Sequence, residues 1–348
     1  MTQAVASSSP PLRSPSVSDF GRLLADVRRA GLLDRRPLYY TARLGIVFAL
    51  FISGWAAFFA LGDSWWQLLL AAFFAITFTQ IALVAHDLAH RQISGSHRVG
   101  DAFGRCVGNL AIGVGYGWWM NKHTRHHANP NNEDLDPDVA PDVLVWSHDQ
   151  ARKSRGLARF IGRRQAVLFY PLLLLEGVNL HVSGVRALRQ PWMKHRLLEG
   201  ILLFTHFVGY AAALAWVLPA DKALLFFAIH QGLFGVYMGC VFAPGHKGMP
   251  TLTADTRLDF LRKQVLTTRN VRGSWFVDIA MGGLNYQIEH HLFPAMSTPN
   301  LRRARPIVRA HCAELGLPYH ETGFIASHIE ALTHLHRVGA PIRKGDQP

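Results

Sequence analysis

The sequence predicts an all-α, polytopic membrane protein with four transmembrane helices. Four segments of the 348-residue chain are almost wholly apolar, namely residues 44–61, 68–85, 201–218 and 223–244. Each is close to the roughly 20 helical residues that cross a bilayer core about 30 Å thick. The segments also lack the polar face that helices of a soluble core normally show. Four buried helices of a soluble protein are therefore the less favoured alternative.

The placement of basic residues predicts the orientation of these helices. The turn at residues 62–64 has no Lys or Arg, and the turn around residues 219–222 has one. Arginine and lysine instead crowd the N-terminal segment, the long middle loop and the C-terminal tail. By the positive-inside rule, both termini and the middle loop, and with them the candidate site, face the cytoplasm in a multi-pass protein of the inner (plasma) membrane.

The formal net charge of +13 could instead indicate nucleic acid binding. The basic residues are spread over several membrane-flanking segments, and no nucleic-acid motif accompanies them. We therefore expect contact with the headgroups of the lipid bilayer and no nucleic acid partner. Cys106, Cys240 and Cys312 show no C-x-x-C spacing, which predicts neither a disulfide framework nor a zinc ribbon.

The remaining segments are interpreted in chain order. Residues 1–18 are rich in Ser and Pro and poor in apolar residues, which is typical of a disordered N-terminus. Residues 19–42 are expected to form a basic helix along the membrane surface. The apolar stretch 106–120 is expected to be buried or re-entrant, because it is short and broken, and 165–181 is expected to be interfacial. Residues 19–340 are expected to form a single integral-membrane domain.

Three short histidine clusters lie just past apolar stretches. They are His86-Asp-Leu-Ala-His90, His123-Thr-Arg-His126-His127 and Gln287-Ile-Glu-His290-His291. A helix places residues three and four apart on one face, so each cluster offers two or three imidazoles to one point in space. The seven imidazoles exceed what one ion can hold, which favours a site for two metal ions.

The donor set indicates the kind of metal chemistry. Imidazole binds iron well, and open coordination positions in such a site permit chemistry with O2. The histidine clusters contain no Glu-x-x-His motif of the carboxylate-bridged di-iron bundles. They also contain no His-Glu-x-x-His motif, which disfavours a zinc peptidase.

The clusters HDLAH, HTRHH and QIEHH, the last followed by LFP, closely resemble the three histidine boxes of the membrane fatty acid desaturases. The third box, which starts with Gln, is similar to that of the front-end and linoleoyl-CoA-type branch, also found in bacteria. Residues 242–249 (FAPGHKGM) resemble a further element of the family, in which an additional metal ligand is expected. The resemblance runs from about residue 40 to about residue 325.

The resemblance implies a cytoplasmic helical cap that holds a histidine-rich di-iron site. The histidines that it implies as catalytic are His86, His90, His123, His126, His127, His290 and His291. The metal ligands would be these seven together with His246 and, as a weaker or water-mediated ligand, Gln287. Gly245 departs from the Asn that several relatives have at this position, which puts a supporting contact in doubt.

The activity implied by the resemblance is that of an oxidoreductase, a fatty acid desaturase. It would insert a cis double bond into a long-chain acyl group, linked to CoA or to a lipid, with O2 as co-substrate. Since the chain has no His-Pro-Gly-Gly haem motif, electrons would come from a ferredoxin or similar carrier with its NAD(P)H reductase. The alternatives are a fatty acid, sphingolipid or carotenoid hydroxylase of the same superfamily and, less favoured, a histidine-rich metal transporter.

Several other residues keep two interpretations at this stage. His181, His206 and His230 lie in apolar segments and either contact the metals or bond to a neighbouring helix. Trp118 and Trp119 either wall an acyl channel or are ordinary interfacial aromatic residues.

Polar residues around the boxes are predicted to support the histidines. Residues 129–138 carry alternating acids but lack the glycine of an EF-hand, so we expect a loop whose carboxylates bond to box histidines. The further candidates for this role are Asp87, Asp278, Asn285 and Glu289. Four arginines of the tail form either a docking patch for an acidic electron carrier or a lipid contact, namely Arg302, Arg303, Arg305 and Arg309.

Overall fold

The computed structural model of the chain describes residues 18–344, which form seventeen α-helices, a π-helical segment (Cys106–Ala111) and two short strands. The helices are α1 (Asp19–Arg29), α2 (Pro37–Leu61), α3 (Gln67–Ala89), α4 (His97–Arg105), α5 (Tyr116–Ala128), α6 (His148–Lys153), α7 (Gly156–Gly162), α8 (Gln165–Leu173), α9 (Glu176–Ala187), α10 (Arg196–Val217), α11 (Ala220–His246), α12 (Phe260–Thr267), α13 (Trp275–Ala280), α14 (Gln287–Leu292), α15 (Thr298–Glu314), α16 (Phe324–Val338) and α17 (Ala340–Lys344). The strands β1 (Asn270–Val271) and β2 (Glu321–Thr322) pair in parallel. The predicted disordered segment 1–18 lies outside the described residues except for Ser18, whose hydroxyl caps α1.

Four helices among the described residues are long and apolar enough to cross a membrane, which confirms the predicted spans. They are α2, α3, α10 and α11. α3 and α11 pack against each other and have 56% and 44% of their apolar windows buried, against 17% for α2 and for α10. α3 and α11 are therefore the inner pair, and α2 and α10 turn most of their apolar surface outward, as lipid-facing helices do.

The N-terminal region differs from the prediction of one helix over residues 19–42. Residues 30–36 are not helical and separate α1 from α2. Gly31 in this break has a φ of +64°, the left-handed conformation that commonly ends a helix. Leu23 and Val27 of α1 are fully buried in a core that they share with the region after α11. α1 therefore packs on the protein rather than lying as part of a long surface helix.

The glycine-rich stretch 106–120 is largely buried, as predicted, but it is not one segment. Its first half is the π-helical segment, and its last five residues belong to α5, which carries the second histidine box. Gly113 makes the turn between the two with a φ of +69°. A Cβ at this position would lie 2.5 Å from Cδ2 of His206, so glycine is required here for space as well as for conformation.

The predicted interfacial segment 165–181 is covered by α8 and α9, which meet at an angle of 72°. α9 packs against α11 and α5, and glycines allow this approach. A Cβ on Gly177 of α9 would lie 2.4 Å from the carbonyl oxygen of Gln231 on α11. The bend therefore brings the start of α9 against α11, the helix that ends at His246.

The chain after α11 folds back over the end of that helix. Arg269 is fully buried, and its guanidinium donates to the carbonyl oxygens of Pro244 at 2.6 Å, Lys247 at 2.5 Å and Ser327 at 2.9 Å. It also forms an ion pair with Glu330. Since the last carbonyls of a helix have no partner within the helix, the arginine satisfies the end of α11 and ties it to α16.

Candidate metal centre

The three histidine boxes and the end of α11 converge on one region. The boxes lie at the end of α3, along α5 and on α14. Their ligand nitrogens form two groups, within each of which all nitrogens lie within 4.8 Å of one another. The five-histidine cluster is His86, His90, His123, His127 and His290, and the three-histidine cluster is His126, His246 and His291. The eight histidines expected as ligands thus lie in two groups, each suited to one ion.

The five-histidine cluster brings together side chains from three helices. Nε2 of His123 lies 2.7 Å from Nε2 of His90 and 3.1 Å from Nε2 of His127. The ring centroid of His290 is 4.7 Å from that of His86 and 4.8 Å from that of His90. Several ring nitrogens therefore face one point, as they do around a metal ion.

The three-histidine cluster has the same inward arrangement. Nε2 of His126 lies 3.2 Å from Nε2 of His246. Nδ1 of His126 donates to Oδ2 of Asp136 at 2.9 Å, and Nδ1 of His291 donates to Oε1 of Gln264 at 2.9 Å. Because the Nδ1 atoms are engaged on the outer side, the Nε2 atoms of both rings are left to face the cluster, and the tautomer of each ring is fixed.

Gln287, the first residue of the third box, lies at the three-histidine cluster. Its amide nitrogen is 2.8 Å from Nε2 of His246. A Cβ on Gly245 would lie 2.8 Å from Cγ of Gln287. The glycine at position 245 therefore makes the space that the Gln287 side chain occupies.

The protonation and bonding of the rings fit a bound metal. Burial, together with the neighbouring imidazoles, holds the pKa of five histidines well below its ordinary value, namely His90, His123, His127, His290 and His291. These rings are therefore neutral, as metal ligands must be. Within residues 18–344, the buried Nε2 atoms of His86, His290 and His291 have no hydrogen-bond partner. Unpartnered buried nitrogens are rare in proteins. One metal ion in the five-histidine cluster would satisfy His86 and His290, and a second in the three-histidine cluster would satisfy His291.

Comparison with known proteins decides the family. The family model described as "Fatty acid desaturase" matches residues 63–323. The chain belongs to the fatty acid desaturase family. The predicted family is thereby confirmed.

Individual relatives of this desaturase-family chain are similar over most of its length. It is 30% identical over 335 residues to the "Acyl-lipid (9-3)-desaturase" of Physcomitrium patens, and the aligned region covers 92% of this chain and 63% of that protein. It is 30% identical to "Fatty acid desaturase 3" of Bos taurus, with 94% and 74% covered. It is 28% identical to "Delta(5) fatty acid desaturase fat-4" of Caenorhabditis elegans, with 93% and 75% covered. The chain thus spans less than two thirds of the length of the first of these relatives.

Carboxylates support the box histidines of this desaturase-family chain where the sequence suggested. Oδ2 of Asp136, in the loop after the second box, accepts from His126 and also from the backbone nitrogen of Asn131 at 2.8 Å. Asp87 lies 3.3 Å from Nδ1 of His86 and forms a buried ion pair of 2.7 Å with Arg43. Both carboxylates therefore fix the rings that they contact.

The other predicted supporting residues bond elsewhere. Asn285 and Asp278 bond to each other, with 2.8 Å between Nδ2 and Oδ1. The buried carboxyl group of Glu289 accepts from Asn270 at 2.7 Å and from Tyr319 at 2.8 Å. Burial raises the pKa of Glu289 to about 7, against the effect of these two hydrogen bonds. These residues anchor α14 and its surroundings rather than the imidazole rings.

Three histidines of the apolar segments lie outside both clusters, namely His181, His206 and His230. They bond to neighbouring helices and turns instead of facing the candidate metal ligands. Nδ1 of His181 donates to the carbonyl oxygen of Gly113 at 2.8 Å, and Nδ1 of His206 donates to that of Leu110 at 2.9 Å. The hydroxyl of Tyr210 lies 2.8 Å from Nδ1 of His230. The first two histidines hold the turn that leads from the π-helical segment into α5.

A cavity of about 250 Å³ lies beside both clusters. His123 and His246 line it together with Trp118 and Trp119, so the two tryptophans are indeed wall residues of a cavity at the histidines. Apolar side chains of α8, α9 and α11 form much of the remaining wall. The cavity can therefore hold an apolar chain next to ligands of both clusters.

Sequence reasoning missed Gln264, and no motif in its neighbourhood identifies it. Besides accepting from His291, it donates from Nε2 to the carbonyl oxygen of His127 at 2.9 Å. One amide thus links α5 and α14 across the two clusters. The position of α12 against α14, which no local signal reveals, is what brings Gln264 there.

The arginines of the tail are partly engaged. Arg302 lies 3.6 Å from Asp278, and Arg305 lies 2.7 Å from Glu321. Arg303 and Arg309 are exposed. Any docking of an acidic partner at this patch would therefore rely mainly on Arg303 and Arg309.

Proposed function

We propose that this chain is an O2-dependent fatty acyl desaturase that introduces a cis double bond into a long-chain acyl group. The observation that carries the proposal is the apolar cavity that borders both histidine clusters. Two relatives, named as an acyl-lipid desaturase and a Delta(5) fatty acid desaturase, support a fatty acyl substrate. We propose that this acyl group is linked to CoA or to a lipid.

The metal ions of the proposal are two irons. The five-histidine cluster would hold one and the three-histidine cluster the other, with Gln287 as a weaker or water-mediated ligand of the second. Neutral imidazole is a good ligand for iron, and ligand sets of this kind leave positions open. When bound, iron would supply the redox chemistry with O2 that breaks unactivated C–H bonds.

The protein itself would position the substrate and exclude water. Trp118, Trp119 and the apolar wall would hold the acyl chain in one orientation, so that a single C–C bond faces the clusters. Asp136 and Gln264 would keep the ligand rings in the tautomer that directs Nε2 inward. Desaturation removes two hydrogens from adjacent carbons, and these two protons and two electrons join O2 and two external electrons with two further protons to form two waters.

The electron supply and the location complete the proposal. A ferredoxin or similar carrier with an NAD(P)H reductase would deliver the external electrons, and Arg303 and Arg309 offer a basic surface to an acidic carrier. Residues 19–340 would form one domain of a bacterial plasma-membrane protein. The charge distribution supports cytoplasmic termini and a cytoplasmic helical cap that holds the clusters.

The test is the fatty acid profile of a bacterial host that expresses the chain together with a ferredoxin and its reductase. We expect a new unsaturated acid, which is absent with His290→Ala because that ring lies in the five-histidine cluster. His97→Ala, a change of an exposed histidine, is the matched control and should leave the product intact. A new hydroxy acid would change the assignment from a desaturase to a hydroxylase. If the protein is well expressed and no new acid forms, both the desaturase and the hydroxylase assignments are contradicted.

A further inference from the structure

The cavity beside the clusters has one polar end and one apolar end. The lining residues of α11 run from Met238 to Lys247, and His246 lies directly before the lysine. At 1.5 Å of rise per helical residue, Met238 lies about 12 Å below His246, towards the middle of the span. Val114 and Leu180 also line the cavity and belong to the same buried apolar cluster as Met238. The polar groups are thus at the level of the histidines, and the apolar wall extends away from them.

Two lysines mark the polar end. Lys122 precedes His123, and its Nζ lies 2.5 Å from Oδ1 of Asp138. Lys247 follows His246, and its Nζ donates to the carbonyl oxygen of Asp138 at 2.7 Å and lies 3.9 Å above the ring of Trp146. An ammonium group has three donors, and the carbonyl oxygen of Asp138 takes one of those of Lys247, so Lys247 keeps donors to spare.

The charge balance at this end suits a neutral acceptor. Lys122 and Lys247 face the carboxylates of Asp138 and Glu176, all four of which line the cavity. Glu176 also accepts from Asn179 at 3.1 Å. With two cations and two carboxylates, the cavity offers a hydrogen-bond donor without net positive charge. An ester or thioester carbonyl oxygen fits such a donor better than a free carboxylate does.

We propose that Lys247, held in place by Asp138, donates a hydrogen bond to the acyl carbonyl oxygen of an ester- or thioester-linked substrate. The inference rests on the proposed function and adds the direction in which the chain enters. With the carbonyl at Lys247, the methyl end points to Val114 and Met238, and the carbons that follow the carbonyl lie beside His123 and His246. The new double bond then falls in the carboxyl-proximal part of the chain.

The experiment compares ligands that differ only in the carbonyl oxygen. Binding to the purified full-length protein in nanodiscs is measured for an acyl-CoA and the matching S-alkyl-CoA, and for a diester phosphatidylcholine and its diether. For the natural class of carrier, we expect the wild type to bind the carbonyl compound about 10-fold more tightly or better, because only this compound accepts the hydrogen bond from Lys247. Whichever pair shows this preference identifies CoA or glycerolipid as the carrier.

The variants separate recognition from folding. Lys247→Met should remove the preference for the carbonyl and spread the product over several double-bond positions, whereas Lys247→Arg should keep the preference. Lys222→Met is the matched control, since Lys222 lies at the opposite end of α11 and pairs with Asp63. The inference is wrong if Lys247→Met keeps the full preference, or if it weakens both members of a pair equally, which a merely structural role would do. If the wild type forms no unsaturated product at all, the proposed function is refuted instead. The binding comparison still tests the role of Lys247 in that case.

Discussion

The hydrogen bond from His126 to Asp136 gives a sharp test of the two-cluster arrangement. The aspartate is almost fully buried, and its Oδ2 accepts from Nδ1 of His126 at 2.9 Å and from the backbone nitrogen of Asn131 at 2.8 Å. Asp136→Asn keeps the volume but replaces one oxygen with a donor, so at least one of the bonds made by its carboxylate is lost. An amide oxygen also accepts more weakly than a carboxylate, so the bond that holds His126 with Nε2 directed into the three-histidine cluster is weakened or lost.

The expected loss is local to one of the two proposed metal ions. Removing such a supporting carboxylate typically weakens metal affinity about 10- to 100-fold, or roughly 1.4 to 2.7 kcal/mol. The five-histidine cluster makes no hydrogen bond to Asp136, so its affinity should stay as in the wild type. Metal titration of Asp136→Asn should therefore show one site of unchanged affinity and one weakened site.

The assay is equilibrium dialysis against Fe(II) or Co(II), with metal and protein content measured by mass spectrometry and amino-acid analysis. Asp134→Asn is the matched control, because its carboxylate accepts from Ala254 in an exposed loop and contacts no histidine. Two sites that weaken together in Asp136→Asn, or an equal loss in Asp134→Asn, would refute the division of the ligands into two clusters.

Two further predictions concern the end of α11. Arg269→Met leaves the carbonyl oxygens that accept from the guanidinium without partners, so it should lower the free energy of unfolding by about 3–5 kcal/mol in a denaturant titration in detergent. The control is Arg303→Met, a change of an exposed arginine. An unchanged denaturation midpoint for Arg269→Met would show that the buried arginine does not stabilise the fold. Gly245→Ala places a Cβ 2.8 Å from Cγ of Gln287, so it should lower the free energy of unfolding by about 1–3 kcal/mol and reduce the metal content to about one ion per chain. In the control Gly209→Ala, the added Cβ meets no atom within 4 Å, and neither quantity should change. Equal effects of the two changes would contradict the packing argument.

The parts of this fold that the sequence predicts are those with local signals. The four spans follow from apolar length alone, and the histidine boxes follow from spacing. The break after α1 also has a local signal, Gly31, which the prediction of one helix over residues 19–42 overlooked. The positions of the remaining features depend on contacts between distant segments.

The division of the ligands illustrates what local patterns leave open. Neighbouring residues on a helix point about 100° apart, so His126 and His127 had to face different directions. Which cluster each joins depends on where α14 and the end of α11 pack. Gln264 and Arg269 likewise gain their roles only through the packing of the region after α11, and neither lies in a motif.

α5 supplies histidines to both clusters from consecutive residues, His126 and His127. The distance between the two ligand groups is therefore set by the pitch of one helix and not by the length of any loop. One added residue between His123 and His126 would therefore misplace histidines of both groups at once. The spacing of the histidines in the second box thus fixes the distance between the two clusters, and a redesign of the site must leave this spacing unchanged.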